Sequence, residues 1–392
     1  MVKPWRKIRV LDLSQGIAGP YCAQIMASQG AEVIKVEPPS GDWGRFVSAS
    51  HGDHSALSLQ FNQGKLGVAL DAKHPEGQAL LKKLVQSCQV VVQNFRPGVA
   101  KRLGVDYETL SQTQPDVICV SISGYGDEGP AAELPATDSV MQADSGLMYM
   151  NRTPDGQPRR VGMLMVDAAT GMYAAQALAA ALYVRLETGK GSHVQTSLFE
   201  AMLAFQAMGL TEHKMAGPRP VEAVSAPNGV FQTATGQLSV VTLNNSQFEK
   251  LCHALDKPEW IKDVRFMTND VRMQHRAVLD GLIDEVLSQA STESWVERLN
   301  QHEVLHAVIQ DYDSIFEHAQ IEHLQPFHWQ HITGLPAIPV VASPLAIYRA
   351  EALGIAPVIG EHTLEVLSRL GVDAQHLDAL CEAGILKQGA AL

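Results

Sequence analysis

The chain has 392 residues, of which 46% are hydrophobic and 18% are charged, a balance typical of a globular protein with a large core. The formal net charge is −12 without any block of Lys or Arg, so the overall field would repel a nucleic-acid backbone. Five scattered cysteines lack a CxxC pair, and the first residues lack the apolar core of a signal peptide. We therefore expect a cytoplasmic protein of two or three domains, without a nucleic-acid or membrane partner.

The first half of the chain alternates between strand-like and helix-like segments. Helices are predicted over 18–29 and over 75–88, the second beginning at Pro75. Continuous Val/Ile-rich runs, typical of buried parallel strands, cover 8–14, 31–37, 65–71, 90–95 and 116–123. This alternation predicts an open, mostly parallel, Rossmann-like α/β sheet covered on both faces.

The pattern changes near residue 210. A long helix from about 168 to 187 ends in the TGKG turn at 188–191, and its small apolar residues are too often interrupted for a membrane span. A hairpin-like stretch at 229–243 and short helices then indicate an α+β region, while a helical tail at 356–371 is expected to return to the first domain. We predict a large α/β domain from 1–210 with 340–392 and a small α+β domain from 211–339.

Two catalytic-looking motifs are rejected on their context. GYGDEG at 124–129 matches the dinucleotide fingerprint, but Pro130 and a loop follow where a helix should begin. HEVLH at 302–306 matches a zinc motif, yet the residues after it have a strand-like pattern. The pairs His51/His54 and His328/His331 lack other ligands at useful spacing and are interpreted as surface histidines. No metal site is predicted.

Three separated segments indicate a phosphate-containing ligand and a reactive carboxylate. Residues 14–45 form a strand, a glycine turn and a helix, a geometry that offers backbone N–H groups to a phosphate. Residues 68–77 and 92–104 add Lys73, Arg96 and Arg102 near Asn94. Residues 161–182 place Asp167 at the start of a long apolar helix.

With these segments, the chain resembles the class III CoA-transferases, the family that includes formyl-CoA transferase and carnitine CoA-transferase. The resemblance runs over nearly the whole length, through LDLSQGIAGP, AEVIKVEPP, QNFRPGVAKRLG, the helix of Asp167, LETGKGSHVQTSLFEAM and IGEHTLEVLSRLG. It implies a large domain built from both chain ends, a small domain built from the middle, and a homodimer whose subunits interlock. It also implies CoA and acyl-CoA as substrates, with no tightly bound cofactor.

The resemblance assigns roles to individual residues. Asp167 falls on the family's catalytic aspartate. The positions that fall on CoA contacts are Gln15, Gly16, Ile17, Ala18, Leu70, Asp71, Ala72, Lys73, Asn94, Phe95, Arg96 and Arg102. Taken without the resemblance, Asp167 could be a helix N-cap, Asn94 could cap a turn, and the three cations could be ordinary surface charges.

Two departures from the formyl enzyme concern specificity. Pro38 stands where that enzyme has an arginine, so this CoA contact is either absent or supplied by Arg45. The glycine tetrad that closes the formyl enzyme's site is replaced by SAPNGVF at 225–231, which argues against formate and oxalate as the substrates.

The expected chemistry is nucleophilic. An ionised Asp167 would attack a donor thioester, form a mixed anhydride and then an aspartyl-CoA thioester, and pass CoA to an acceptor acid. The positive end of the helix is expected to keep Asp167 ionised. The donor and acceptor acids stay open, with succinyl-CoA and a small dicarboxylate as first candidates by family likeness.

Two rival functions are weighed against CoA transfer. A 2-methylacyl-CoA racemase on the same fold needs a histidine as its second base, but Thr137 occupies that position in PATDSV. A non-catalytic CoA-ester binding protein would keep the cations without needing Asp167.

Overall fold

A computed structural model describes residues 3–153, 155–217, 224–345 and 353–390. The chain divides into two compact units, the first made of Met1–Pro218 with Pro326–Leu392 and the second of Arg219–Gln325. The strands are β1 (Arg9–Asp12), β2 (Glu32–Glu37), β3 (Ser50–His51), β4 (His54–Ser55), β5 (Leu66–Leu70), β6 (Val90–Gln93), β7 (Ile118–Ser123), β8 (Ser192–Ser197), β9 (Asn228–Gln232), β10 (Gln237–Val241), β11 (Leu305–Val308), β12 (Phe327–Gln330), β13 (Ile338–Val341) and β14 (Leu386–Lys387).

The α-helices are numbered in the same way along the described chain. They are α1 (Ala18–Ser28), α2 (Ala56–Phe61), α3 (Pro75–Gln86), α4 (Val99–Leu103), α5 (Tyr107–Ser111), α6 (Asp138–Asp144), α7 (Leu147–Met150), α8 (Met165–Thr188), α9 (Leu198–Phe205), α10 (Ala207–Ala216), α11 (Asn245–Ala254), α12 (Asn269–Gln274), α13 (Arg276–Leu287), α14 (Thr292–Gln301), α15 (Tyr312–Phe316), α16 (Ala319–Leu324), α17 (Thr363–Arg369) and α18 (Ala374–Glu382).

The first unit is built on a seven-stranded sheet with the order β14-β5-β2-β1-β6-β7-β8. All neighbouring pairs are parallel except β14–β5, which is antiparallel. The chain builds the sheet outward from β1 through β2 and β5, then returns to the other side of β1 with β6, β7 and β8. The direction of winding therefore reverses between β1 and β6, and ligands of open α/β sheets bind at such a reversal, beyond the carboxyl ends of the strands. The predicted α/β class with a mostly parallel sheet is confirmed.

The Val/Ile runs are buried on both sides of the sheet, as the sequence predicts for parallel strands. On β1, Val10 packs into a cluster with α1, α8 and α9, whereas Leu11 packs into a second cluster with α3, α17 and α18. Val90 and Val91 on β6 divide between the same two clusters. The two layers of helices thus fix the sheet from both faces and leave its carboxyl-end edge for the connecting loops.

Helix α8 begins three residues earlier than the sequence predicts, at Met165, so Asp167 lies inside its first turn. The helix packs on α1 at Gly171, where a Cβ atom would lie 2.7 Å from the carbonyl oxygen of Ala18. A residue larger than glycine would push the two helices apart. Gly171 therefore keeps the start of α8 close to the start of α1.

The second unit contains an antiparallel sheet with the order β11-β10-β9. Phe231, Leu238 and Val240 from this sheet are buried in one cluster with residues of α11, α13 and α14. The hairpin predicted over 229–243 corresponds to β9 and β10, with Val230 opposite Ser239.

The structure confirms the reasons for rejecting the two motifs. The GYGDEG segment is loop, and the next helix begins only at Asp138. In HEVLH, His302 is the C-cap residue after α14, Glu303 has φ +53° and β11 begins at Leu305, so this segment is not a helix that presents two histidines on one face. No group of three or more His, Cys, Asp or Glu side chains suited to a metal occurs in the described part of the chain.

One other prediction is wrong, and another assigns too many residues to a helix. His54 is not a surface residue: it is 2% exposed, beside Arg45, and neither ring nitrogen has a hydrogen-bond partner among the described residues. The short β3–β4 hairpin buries it, which the sequence spacing does not reveal. The tail helix covers Thr363–Arg369 and not 356–371, because Pro357 lacks an N–H donor and Gly360 has φ +75°. Across the described ranges, no helix is both long and apolar enough to cross a membrane.

Candidate active site

The loop after β1 enters the winding reversal and is held there by its backbone. Asn94, which follows β6, accepts the N–H of Gln15 at 2.8 Å and donates to its carbonyl oxygen at 2.7 Å. The carboxylate of Asp42 accepts the N–H of Gly16 at 3.1 Å, and Lys35 donates to the carbonyl oxygen of Ser14. Three consecutive residues are therefore fixed by side chains from three different segments.

A buried ion pair between Lys35 and Asp42 stabilises this loop. The ammonium of Lys35 lies 2.9 Å from the carboxylate of Asp42, and both side chains are almost fully buried. Desolvation opposes the charge on Lys35, but the nearby carboxylates, first Asp42, raise its pKa overall. Removing one partner of a buried charge pair costs much stability. Because both partners of this pair are also bonded to the backbone of the loop, the pair holds the loop rigidly.

Gly16 allows a tryptophan to pack against the loop. It has φ +75°, and a Cβ atom there would lie 2.2 Å from the ring of Trp43. The ring is 52% exposed and forms part of the cleft wall. Gly16 itself is buried, so it shapes the loop and does not line the cleft.

Asp167 lines the same cleft as this loop, at the start of α8. It is half-buried, and none of the described residues donates a hydrogen bond to its carboxylate oxygens. The interpretation of Asp167 as a helix N-cap is wrong, because Asp138 takes that role. The Oδ2 atom of Asp138 accepts the N–H of Val166 at 2.8 Å and that of Asp167 at 3.3 Å.

Burial and then the charge of Asp138 raise the pKa of Asp167 to about 7. The expectation that the helix N-terminus keeps Asp167 firmly ionised is therefore wrong in direction. The helix N–H groups nearest to it are already neutralised by Asp138, and removing the carboxylate from water favours its protonated form.

These residues surround a cleft of about 290 Å³ in the first unit. Seven of the predicted site residues line it, namely Gln15, Ile17, Ala18, Asn94, Phe95, Arg96 and Asp167. Other lining residues are Trp43, Pro97, Ile122, Ser123, Gly124, Ala132, Leu134, Pro135, Ala136, Thr137, Asp138 and Leu198. The cleft lies beyond the carboxyl ends of β1, β6 and β7, the position that the winding reversal predicts.

The remaining predicted contacts lie outside the cleft. The segment Leu70–Lys73 begins at the last residue of β5, and β2 lies between β5 and β1 in the sheet. Leu70 is buried and Lys73 is exposed. The backbone N–H of Lys73 is held by the carboxylate of Asp71, and Ala72 is half-buried. Arg102 is exposed on α4.

Arg45 cannot supply the contact that is missing at Pro38. Its side chain is 0% exposed and pairs with Glu37 at 2.6 Å. It also donates to the carbonyl oxygens of Asp53 and Pro357. All three nitrogen atoms of the guanidinium are used inside the fold.

Sequence reasoning missed Trp43, Lys35, Asp42 and Asp138. Trp43 had one visible signal, since a large aromatic residue in the loop GDWGR is unusual unless it contacts something. Thr137, at the position where a racemase needs its histidine, accepts the N–H of Val140 as the N-cap of α6. A threonine hydroxyl does not titrate near neutral pH and cannot serve as the second base.

The sequence model described as CoA-transferase family III matches residues 6–363. The succinyl-CoA:glutarate CoA-transferase of Homo sapiens is 32% identical over 403 residues, covering 99% of this chain and 91% of that protein. The succinate–glutarate CoA-transferase of Agrobacterium fabrum is 32% identical and covers 94% of this chain and 96% of its own length. The crystal structure of a CAIB/BAIF family protein from Brucella suis superposes with a TM-score of 0.86 at 28% identity, covering 94% of this chain and 100% of that one.

Proposed function

The chain belongs to CoA-transferase family III, and from this premise we propose that it moves CoA from an acyl-CoA donor to a small carboxylic acid through a covalent intermediate on Asp167. The observation that carries the proposal is the position of the Asp167 carboxylate. It lies in the cleft at the winding reversal and is not used for helix capping, which Asp138 provides. A carboxylate that contributes to neither capping nor an ion pair is available for chemistry.

The proposed reaction has two symmetrical halves. The ionised carboxylate of Asp167 attacks the thioester carbonyl and releases CoA thiolate, which leaves a mixed anhydride. The thiolate then attacks the aspartyl carbonyl and expels the donor acid, so that CoA is now bound to Asp167 as a thioester. The acceptor carboxylate repeats these steps in reverse order and leaves as the new acyl-CoA.

The negative charge that develops on the carbonyl oxygens needs hydrogen-bond donors. Helix α1 begins at Ala18 without a side-chain cap and without an acidic residue in its first turn. Ile17 and Ala18 line the cleft together with Asp167. We assign their backbone N–H groups to the oxyanion, because uncapped donors at a helix start favour negative charge.

The CoA nucleotide is assigned to the cations at the same edge of the sheet. Arg96 lines the cleft, while Lys73 and Arg102 lie outside it and are exposed in the segments that follow β5 and β6. The chain carries a net charge of −12, so local cations and not the overall field must attract the phosphates. Leu70, Asp71 and Ala72 would contribute through their backbone.

The relatives suggest the acids. The human and Agrobacterium proteins are named for succinyl-CoA or succinate and glutarate. We therefore propose succinyl-CoA as donor and a short dicarboxylate such as glutarate as acceptor. An array of acyl-CoA donors against acceptor acids, analysed by chromatography, tests this choice. A strong preference for acids without a second carboxylate would contradict it.

We further propose that the protein acts in the cytoplasm as an interlocked homodimer. Large apolar side chains are exposed on α8 and α10, among them Leu186 at 80% and Met208 at 82%. Exposed apolar patches of this kind mark surfaces that another chain covers. Light scattering after size exclusion tests the assembly, and a monomer at micromolar concentration would contradict it.

The decisive experiment detects the covalent intermediate. The protein is incubated with succinyl-CoA, digested under mildly acidic conditions and analysed by mass spectrometry for CoA on the peptide that carries Asp167. Asp144→Asn, an exposed carboxylate on α6, serves as the control that should still form the adduct. A protein that binds succinyl-CoA but shows no adduct, with no transfer, would support the non-catalytic CoA-ester binding function.

A further inference from the structure

Asp138 and Asp167 bring two carboxylates to the same turn of the structure. Asp138 is 4% exposed and begins α6, while Asp167 lies in the first turn of α8. Both line the cleft. One oxygen of Asp138 accepts the N–H groups of Val166 and Asp167, and the other accepts the side-chain amide of Gln142 at 2.7 Å.

We propose that Asp138 is a positioning residue that anchors the start of α8 and, through its negative charge, favours the covalent uncharged form of Asp167 over the free carboxylate. The proposal rests on the nucleophilic role of Asp167 proposed above. It assigns to Asp138 two separable effects, one from its hydrogen bonds and one from its charge.

The charge effect follows from the balance of the first half-reaction. The free enzyme and acyl-CoA become aspartyl-CoA and the donor carboxylate, so one negative charge leaves Asp167 and departs with the released acid. Before this step two carboxylates face each other at the helix start, and after it only Asp138 is charged. Like charges at close range disfavour the state in which both are ionised. The repulsion therefore raises the energy of the free enzyme relative to the intermediate.

The same repulsion contributes, after burial, to the raised pKa of Asp167. Other titratable groups on the packed elements are Tyr21 and Cys22 on α1, Cys119 on β7, His193 on β8, Glu200 on α9, and Asp144 on α6, while Arg96 faces the cleft. Tyr21 and both cysteines have pKa values raised by burial and stay neutral near pH 7. Glu200 is tied to Ser197, His193 to Ser121, and Asp144 to Tyr125. Asp138 is thus the charged group that acts directly on Asp167.

Neutral substitutions separate the two effects. Asp138→Asn and Asp138→Ser both keep an oxygen that can accept the N–H groups of α8, but they remove the charge. In Asp138→Asn the new amide group would meet Gln142, whose own amide already donates to the carbonyl oxygens of Val161 and Met163. The serine variant avoids this clash of donors and is the second choice should the asparagine variant fail to fold.

The experiment measures kcat/KM for succinyl-CoA between pH 5 and 9 and the equilibrium fraction of aspartyl-CoA at fixed succinyl-CoA and succinate. For wild type, kcat/KM should rise with pH along an acid limb whose midpoint lies near pH 7. In the neutral variants this midpoint should lie about one pH unit lower. The ratio of kcat/KM at pH 6 to its alkaline plateau should therefore be about fivefold higher than in wild type. The fraction of aspartyl-CoA should decrease several-fold. Asp144→Asn, which removes the same charge from the other end of α6, should change neither quantity.

Three results would overturn the proposal. A wild-type limb below pH 5 would do so without any variant. A folded neutral variant with an unchanged limb would reduce Asp138 to a helix anchor, as would a shift of equal size in Asp144→Asn. If wild type forms no adduct on Asp167 at all, the proposed function itself fails, which distinguishes that outcome from a failure of this inference alone.

Discussion

The side-chain amide of Asn94 pairs with both backbone groups of Gln15, accepting its N–H at 2.8 Å and donating to its carbonyl oxygen at 2.7 Å. The two residues are 79 positions apart in sequence and meet because β1 and β6 are neighbours in the sheet. The amide thus ties together the two loops that flank the winding reversal. Because both polar groups of this amide are already used, we expect Asn94 to act on the ligand through Gln15 and its neighbours.

The first prediction concerns this clamp. Asn94→Ala leaves the half-buried backbone groups of Gln15 without partners, which costs about 1–3 kcal/mol of local order. We expect the KM for acyl-CoA to rise about tenfold. Asn94→Asp keeps the acceptor and loses the donor, so its effect should be intermediate. Steady-state kinetics on both variants test the order, and equal KM values for wild type and Asn94→Ala would contradict the clamp.

Asp167 gives a prediction about stability. Its carboxyl titrates near 3.8 in the unfolded chain and near 7 in the folded protein, because burial and Asp138 disfavour its charge. Between these pH values folding takes up a proton, so wild type loses stability as the pH rises through this interval. Asp167→Asn stays neutral and should gain on the order of 1–3 kcal/mol in the free energy of unfolding at pH 8, after allowance for partial exposure.

That gain should be small near pH 4, where the carboxyl of Asp167 is protonated in the folded protein and partly protonated in the unfolded chain. Denaturant titrations of wild type and Asp167→Asn at pH 4, 6 and 8 measure it, with Asp144→Asn as the control. A variant that is less stable than wild type at pH 8 would show that the carboxylate of Asp167 has a stabilising partner.

A third prediction separates phosphate recognition from recognition of the thioester. Arg102→Ala and Arg96→Ala should each raise the KM for succinyl-CoA about tenfold, since a charge-assisted bond to phosphate contributes about 1.5–3 kcal/mol. With succinyl-pantetheine, which has no phosphate, the variants and wild type should have the same KM. Lys101→Ala, an exposed neighbour on α4, is the matched control. An effect of Arg102→Ala that persists with succinyl-pantetheine would place the nucleotide elsewhere.

The residues that the sequence identifies are those whose signal is local. The Val/Ile runs predict the parallel sheet, and Pro130 after GYGDEG is enough to reject a dinucleotide site. Asp167 is assigned through the resemblance to the class III CoA-transferases, which includes both flanks of its helix; without the resemblance it could have been a helix N-cap. Its position inside the first turn, however, depends on Asp138, whose carboxylate reaches the helix from 29 residues away in sequence.

The residues that the sequence does not identify act through long-range contacts. Asp42 is 26 positions from Gly16, and nothing around either residue indicates that they are bonded. His54 and Arg45 have polar side chains of types that are usually exposed. The packing around β3 and β4 nevertheless buries both. Burial of a charged group depends on its partners, and partners distant in sequence cannot be inferred from spacing.

The last prediction tests whether Arg45 belongs to the fold and not to the ligand site. Its guanidinium and the carboxylate of Glu37 form a fully buried pair. Arg45→Met would leave Glu37 charged and unpaired, which should cost about 3–5 kcal/mol in the free energy of unfolding.

The double variant Arg45→Met/Glu37→Met replaces the pair with apolar side chains of similar volume and should recover part of this loss, because buried pairs are often no more stabilising than well-packed apolar residues. Some loss should remain, since the carbonyl oxygens of Asp53 and Pro357 lose their donor and the backbone N–H of Asp42 loses its acceptor. Denaturant titrations measure both variants, and isothermal calorimetry on the folded double variant measures CoA binding. A dissociation constant within about twofold of wild type is expected, as no charge contacting phosphate has been removed. Tenfold weaker CoA binding in a double variant as stable as wild type would instead assign Arg45 to the nucleotide.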